Sequence, residues 1–249
     1  MGILLDIITV TKDDFEGVTS TIKSTRKLRS ASGVRHIIID SSDYGMAAKV
    51  KWLASSEQNV DYIWREPSGI SAAFNLGLSL SKAEWVWFLN GGDEVHPDVE
   101  TEKLLFLIKQ SRSDAIIFEI ELMQSSERLK HPRMWSMWPP VFAWIPHPAT
   151  LTRRYLYEKY GNFNESLKIA MDYEFWIRCF SKDVTVDMIS IPIVKFDTKG
   201  MSYSRTEQVS REAFSIIKSH LWKMIKIWLK NGLLIVKALF YYSKQSKVK

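Results

Sequence analysis

Five short apolar runs, separated by stretches that can form helices, set the tightest limit on how this chain can fold. They are "LLDIITV" (Leu4–Val10), "HIIID" (His36–Asp40), "YIWRE" (Tyr62–Glu66), "WVWFLN" (Trp85–Asn90) and "AIIFEIEL" (Ala115–Leu122). Each has strand length, and most are apolar on both faces, as in strands covered above and below. Between them the period changes to that of a helix, most clearly in "GISAAFNLGLSLSKA" (Gly69–Ala83), and another helix is expected from about Asp13, a suitable N-cap. The alternation predicts an α/β fold with a mainly parallel central sheet flanked by helices. Right-handed crossovers then bring the strand ends after Val10, Asp40, Glu66 and Asn90 to one edge, where open α/β sheets bind ligands. A later run, "VDMISIPIVKF" (Val186–Phe196), reads as a strand whose Pro192 predicts an edge or broken position.

Composition narrows the function classes. Hydrophobic residues make up 46% of the 249, enough for a large core. The single cysteine, Cys179, excludes an intramolecular disulfide framework and a cysteine zinc cluster, and a reducing cytosol is the natural setting. Met1–Val10 contains Asp6 and lacks the layout of a signal peptide. The net charge of +6 is concentrated at the C-terminus, where Lys218–Lys249 carries lysines and no carboxylate. Such a tail suits an anionic surface, phospholipid or nucleic acid. Upstream there is neither a basic sheet with interleaved aromatics nor a nucleic-acid-binding module, so no nucleic-acid partner is expected.

The tail is too interrupted by lysines to span a bilayer comfortably. At helical spacing Leu221, Met224, Ile225, Trp228 and Leu229 make one apolar face, with Lys223, Lys226 and Lys230 turned elsewhere. That suits a helix lying in a membrane interface, or one docked on the domain with its lysines in water. The tryptophan-rich stretch Trp135–Trp144 either packs under the sheet edge or stacks on a sugar.

The fourth run ends in "LNGGDE", a flexible acidic turn placed directly after a greasy strand. Glycine and aspartate are ordinary turn residues. Yet Asp93 has companions at other strand ends, Asp40 and Glu66, with Thr9 in the same layer and Asp172 at a later helix start. A nucleotide-sugar enzyme needs such a set: one acid on the base or ribose, one on a divalent cation at the diphosphate, one to take the acceptor proton. Local alternatives exist for several: Asp40 as a strand terminator, Asp172 as a helix N-cap, and Glu66 as an ion partner of Arg65. The glycines of "GISAAFNLG" are not in dinucleotide-binding order, and no GxxxxGK[ST] is present.

Five segments in order resemble the inverting family-2 glycosyltransferases of the GT-A fold, particularly small bacterial enzymes of capsule, O-antigen and colanic-acid-type polysaccharide assembly. They are "IITVTKDDFEGVTSTIKS", "HIIIDSSDYG", "REPSGISAAFNLGLSLSKAEWVWFLNGGDEVHP", "PHPATLTRRYLYEKYGNFNESLKIAMDYEFWIR" and "DTKGMSYS", spanning Leu4–Ser204. The resemblance implies a GT-A domain over residues 1–204, nucleotide-binding to about 122 and acceptor-binding from about 123, with a basic helical tail over 205–249. It implies that Thr9, Asp40, Glu66, Asn90 and Asp93 line the nucleotide-sugar site, with Mn²⁺ or Mg²⁺ on Asp93. Asp172 would be the general base, and His147 and Ser202 would lie on the acceptor or diphosphate side. The implied partners are a nucleotide-diphospho-sugar donor, UDP by first choice, a saccharide or lipid-linked saccharide acceptor, and an anionic membrane. The implied location is the bacterial cytoplasm, peripheral on the inner membrane. The acidic motif is thinner than its fullest form, with Asn90 and Gly92 where further aspartates can stand, which leaves a non-catalytic nucleotide-sugar binder as the alternative. Ala72 also stands where an aspartate is frequent.

Overall fold

The computed structural model describes residues 2–130, 145–180, 184–200 and 207–220, with Trp222, Ile225 and Leu229. Four of the apolar runs form the strands β1 (Leu5–Thr11), β2 (Val34–Asp40), β3 (Val60–Trp64) and β4 (Trp85–Phe88). They pair in parallel in the order β3-β2-β1-β4, with helices α1 (Phe15–Ser24), α2 (Arg26–Arg29), α3 (Tyr44–Ser55) and α4 (Ile70–Leu80) in the connections. The chain continues through β5 (Glu94–Val95), α5 (Thr101–Gln110), β6 (Ala115–Leu122) and β7 (Arg128–Leu129). After the undescribed residues 131–144 come β8 (Thr150–Arg153), α6 (Tyr155–Tyr160), α7 (Met171–Phe180) and β9 (Val186–Phe196). Residues 207–220 are helical and are called α8.

Past β4 the sheet is mixed. Its order runs β4-β8-β6-β9-β5, with β8 antiparallel to both β4 and β6. The parallel pattern read from the apolar runs therefore stops at β4, and "TLTR" inserts between the fourth and fifth of them. Pro192 breaks the register, as its missing N–H requires: Ile117 pairs with Met188 but Glu119 pairs with Pro192. The strand is nevertheless internal, because the two-residue β5 covers its outer side.

The strands are greasy because both faces are covered. Leu5, Ile7, Trp85 and Trp87 pack with Leu104, Leu105 and Ile108 of α5 on one face. Ile8, Val86 and Phe88 pack with Phe74 and Leu78 of α4 and Phe175 of α7 on the other. Gly77 lets α4 approach closely, since a Cβ there would lie 2.4 Å from Cγ2 of Ile8. Helix α1 starts one residue later than expected: Asp14 accepts the Gly17 N–H at 2.8 Å, while Asp13 adopts φ 54° and accepts the Asp43 N–H. Helix α8 packs on α7 through Ile216, buried with Ala170 and Ile177. Among the described residues no helix is long and apolar enough to cross a membrane.

Candidate active site

The C-terminal ends of β1 to β4 open onto one cleft of about 1310 Å³. Val10 and Thr11 reach it from β1, Ser41 from β2, Pro67 and Gly69 from the β3–α4 connection, and Asn90 to Glu94 from the turn after β4. This is the sheet edge that the strand pattern designates for ligands. Asp93 and Asp172, far apart in the chain, both line the cleft.

The turn after β4 is tightly built. Thr21 Oγ1 of α1 donates to the Asp93 carbonyl at 2.7 Å and accepts the Gly92 N–H at 3.0 Å. Gly92 has φ 102°, where a side chain is strained, and a Cβ there would also lie 3.3 Å from Oδ2 of Asp197. The Asp93 carboxylate is buried; Oδ1 accepts the Asp197 N–H at 3.0 Å and Oδ2 accepts Asn90 Nδ2 at 3.3 Å. Burial raises its pKa to about 7, the neighbouring Asp197 charge adds to the rise, and the hydrogen bonds oppose it.

The residues here fit a hard divalent cation. Asn90 Oδ1 is buried without a hydrogen-bond partner beside the Asp93 carboxylate. Asp197 lies against the same turn, and its Oδ1 accepts Gln124 Nε2 at 2.7 Å and the Lys199 N–H at 3.0 Å. Among the described residues no group of three or more His, Cys, Asp or Glu could hold a metal ion. One or two carboxylates suffice for Mg²⁺ or Mn²⁺ when phosphate and water complete the shell.

Asp172 is the second residue of α7 and accepts the Tyr173 N–H at 2.8 Å. Burial raises its pKa and the nearby His147 offsets part of the rise. His147 reaches the cleft because Trp87 Nε1 of β4 donates to the Pro148 carbonyl at 2.6 Å, holding this segment on the sheet. Its ring stacks on Phe88 with centroids 5.1 Å apart, and its Nε2 is buried without a partner. Burial lowers the His147 pKa, so the ring is neutral at pH 7, with the Asp172 charge acting the other way.

Thr9, Asp40 and Glu66, expected in the nucleotide site, are not among the residues lining the cleft. Thr9 is fully buried: β1 runs on to Thr11, so Thr9 sits within the ladder opposite Ile38, and its hydroxyl bonds His36 Nε2 at 2.8 Å and the Leu89 carbonyl at 2.5 Å. Asp40 ends β2, but its buried carboxylate accepts the Ser42 N–H at 2.8 Å and the Tyr62 hydroxyl at 2.9 Å, leaving Ser41 to line the cleft. Glu66 lies two residues past β3 on the exposed surface and is not part of the cleft lining. Arg65 bonds the Ala72 carbonyl and Ser68 Oγ instead of Glu66. Asn90, Asp93, His147 and Asp172 do come together around the cleft. Ser202 and the stretch Trp135–Trp144 lie outside the described residues.

Strand-end reasoning missed Asp197, which follows β9 and meets Asp93 across the turn. The signal was the one used for Asp40, a carboxylate closing an apolar strand, but β9 had not been assigned to the ligand edge. It also missed Lys12, Lys168 and Lys199, whose positive charges line the cleft and suit a diphosphate.

The fold and the cleft define an α/β protein with a ligand site at the ends of its parallel strands. A profile described as Glycosyl transferase family 2 matches residues 6–183, and the chain belongs to that family. An uncharacterized glycosyltransferase of Mycobacterium tuberculosis is 27% identical over 208 residues, covering 81% of this chain and 78% of the relative. An uncharacterized glycosyltransferase of Rickettsia typhi is 22% identical over 193 residues, covering 71% and 58%. Among solved structures, S. aureus TarS 1-349 in complex with UDP-GlcNAc has a TM-score of 0.66 at 15% identity, covering 92% of this chain and 72% of that one. The mannosyltransferase PcManGT from Pyrobaculum calidifontis, in complex with GDP-Man and Mn²⁺, has a TM-score of 0.61 at 14% identity, covering 98% and 75%. These likenesses give the mixed α/β fold of GT-A glycosyltransferases, and family membership makes the chain a glycosyltransferase.

Proposed function

We propose that the cleft transfers a sugar from a nucleotide-diphospho-sugar, a UDP-sugar by first choice, to a saccharide hydroxyl with inversion at the anomeric carbon. The observation that carries this reading is that Asp93 and Asp172 line one cleft at the ends of the parallel strands. In the reaction the Asp172 carboxylate takes the acceptor hydroxyl's proton, and that oxygen attacks the anomeric carbon from the face opposite the nucleotide. The bond to the diphosphate oxygen breaks, and its electron pair leaves with the nucleotide. Asp93 and Asn90 would hold a divalent cation, which when bound balances charge on the diphosphate. Lys12, Lys168 and Lys199 add positive charge, and His147 presents a polar Nε2 beside Asp172. TarS, solved with UDP-GlcNAc, and the Mn²⁺-bound mannosyltransferase support a nucleotide-sugar donor and a cation by likeness of fold.

A thermal-shift panel of UDP, GDP and their sugars, with and without Mn²⁺, tests the donor. A ligand at one hundred times its Kd adds roughly 2.7 kcal/mol of apparent stability, so a UDP shift that needs Mn²⁺ is expected. No shift with any nucleotide would remove the donor assignment. The rival reading, a non-catalytic binder, draws on the thinned acidic motif, in which Asn90 and Gly92 stand where further aspartates can be. Hydrolysis of UDP- or GDP-sugars that depends on Mn²⁺ excludes it; tight binding without any turnover favours it.

The proposed acceptor is a saccharide, lipid-linked, in the assembly of a bacterial surface polysaccharide such as capsule or lipopolysaccharide, with the protein peripheral on the cytoplasmic face of the inner membrane. Exposed Phe214, Trp222, Ile225 and Leu229 fall on one side at helical spacing, in a segment whose charges from Lys218 onward are all lysines. Leu221, Met224 and Trp228, the rest of the expected apolar face, lie outside the described residues. The protein should sediment with anionic vesicles at low salt and be released as salt shortens the Debye length from roughly 10 Å at 0.1 M to about 3 Å at 1 M. Equal recovery with neutral and anionic vesicles would count against a membrane role.

A further inference from the structure

Helix α8 does more than cover apolar surface. Its Glu212 carboxylate accepts three consecutive backbone N–H groups just ahead of α7: Lys168 at 3.1 Å, Ile169 at 3.0 Å and Ala170 at 2.9 Å. These hydrogen bonds hold the carboxylate's pKa below its ordinary value although partial burial pushes the other way. An α-helix begins with N–H groups lacking partners, and a side chain of the helix itself usually supplies one acceptor. Here a different element, distant in sequence, holds the amides that lead into the helix, the last of them at its N-cap position.

The consequence falls on Asp172, two residues past the last capped amide. Asp172 itself accepts the Tyr173 N–H at 2.8 Å and its own amide. The remaining contacts tie the same two helices together: Ile216 is buried against Ala170 and Ile177, and His220 Nε2 lies 3.6 Å from Glu174, which pairs with Arg178 at 2.9 Å. Val209, Ala213 and Ile217 of α8 also line the cleft. We propose that Glu212 is a positioning residue: its carboxylate, nested on the Lys168–Ala170 amides, fixes the first turn of α7 and so sets where Asp172 points and how readily it holds a proton. The inference rests on the reading of Asp172 as the base.

The groups facing Asp172 are His147, the Tyr157 hydroxyl and, on the cleft wall, Lys168. The groups around Glu212 are the capped amides and Gln208, whose Nε2 donates to Oε1 at 3.2 Å. Glu212 adds a fixed negative charge at the helix end where backbone dipoles favour anions, so its loss makes Asp172 easier to ionise. Glu212→Ala and Glu212→Gln separate the two contributions, with Asp172→Asn measured beside them.

The probes are UDP with Mn²⁺ for binding and UDP-N-acetylglucosamine with Mn²⁺ for turnover, water serving as acceptor. In Glu212→Ala, amide hydrogen exchange over residues 168–174 should speed up at least tenfold while β1 and β4 stay protected, and kcat should fall about tenfold at unchanged KM. In Glu212→Gln, one oxygen still accepts, so exchange should change little, but Asp172 should titrate about half a pH unit lower, read from its ¹³C carboxyl shift. Unchanged exchange in the alanine variant together with an unmoved Asp172 titration in the glutamine variant would overturn the proposal, whatever the turnover. Wild-type turnover in Asp172→Asn would sink the base reading instead, and the exchange and titration data would still decide the cap.

Discussion

Asp172→Asn should abolish most turnover and leave donor binding intact. Removing a general base costs ~10²–10⁴ in rate, and the amide cannot take the acceptor proton. The variant should fold, because burial already disfavours the charged form of Asp172 and a neutral side chain of equal size suits the site. UDP affinity should stay within about twofold, since Asp172 is not one of the residues assigned to the diphosphate or its cation. In the wild type, activity should rise with pH through the Asp172 pKa, because only the carboxylate accepts a proton, and this acid limb should lie above the ordinary carboxylate range near ~4. Kinetics of the pair across pH, with UDP titrations beside them, check both statements. A variant retaining wild-type turnover removes Asp172 from the mechanism.

Asp93→Asn should have opposite effects with and without ligand. In the folded protein Asp93 titrates at about 7 against 3.8 in the unfolded chain. Its raised pKa therefore contributes stability that is full below the unfolded value and is lost as pH rises through 7. At pH 8 and without cation, the buried charge costs up to about 4 kcal/mol, which Asn avoids. The variant should then melt higher than the wild type at pH 8, by several degrees and at most on the order of 10 °C, and the gap should close toward pH 4. With UDP and Mn²⁺ the order should reverse, because only the wild type offers a carboxylate to the cation. Melting curves at pH 4, 6 and 8, with and without UDP and Mn²⁺, test this. A variant less stable than the wild type at pH 8 in the metal-free state would contradict the burial of a strained charge.

Much of the parallel half of the fold was legible because covered strands leave an unambiguous signal, apolar residues on both faces between helical stretches. Strands β5 and β8, two and four residues long, carry too little periodicity to be found. The internal place of β9 was hidden for a similar reason: Pro192 argues for an edge, and only the short β5 removes that edge. Asn90, Asp93, His147 and Asp172, singled out through ordered segments resembling a family, line one cleft. Thr9 and Glu66 lie off the cleft lining for reasons of element boundaries, since β1 runs one residue further than the apolar run suggests and β3 stops two residues short of Glu66. The direction of the Asp40 side chain is something a sequence pattern does not carry: its carboxylate accepts from Ser42 and Tyr62. Asp197 and Glu212 act through contacts with residues distant in the chain, and no local spacing points to either.

The central claim is that a cation-bound nucleotide diphosphate sits against the turn after β4, with the base on α7 serving the same cleft. Calorimetric titration of UDP into wild type, Asp93→Asn and Asp172→Asn, each with and without Mn²⁺, tests it most directly. The account predicts binding to the wild type that is at least tenfold tighter with Mn²⁺, loss of that gain in Asp93→Asn, and retention of it in Asp172→Asn. UDP binding that ignores Mn²⁺, or a Mn²⁺ gain that survives in Asp93→Asn, would contradict it.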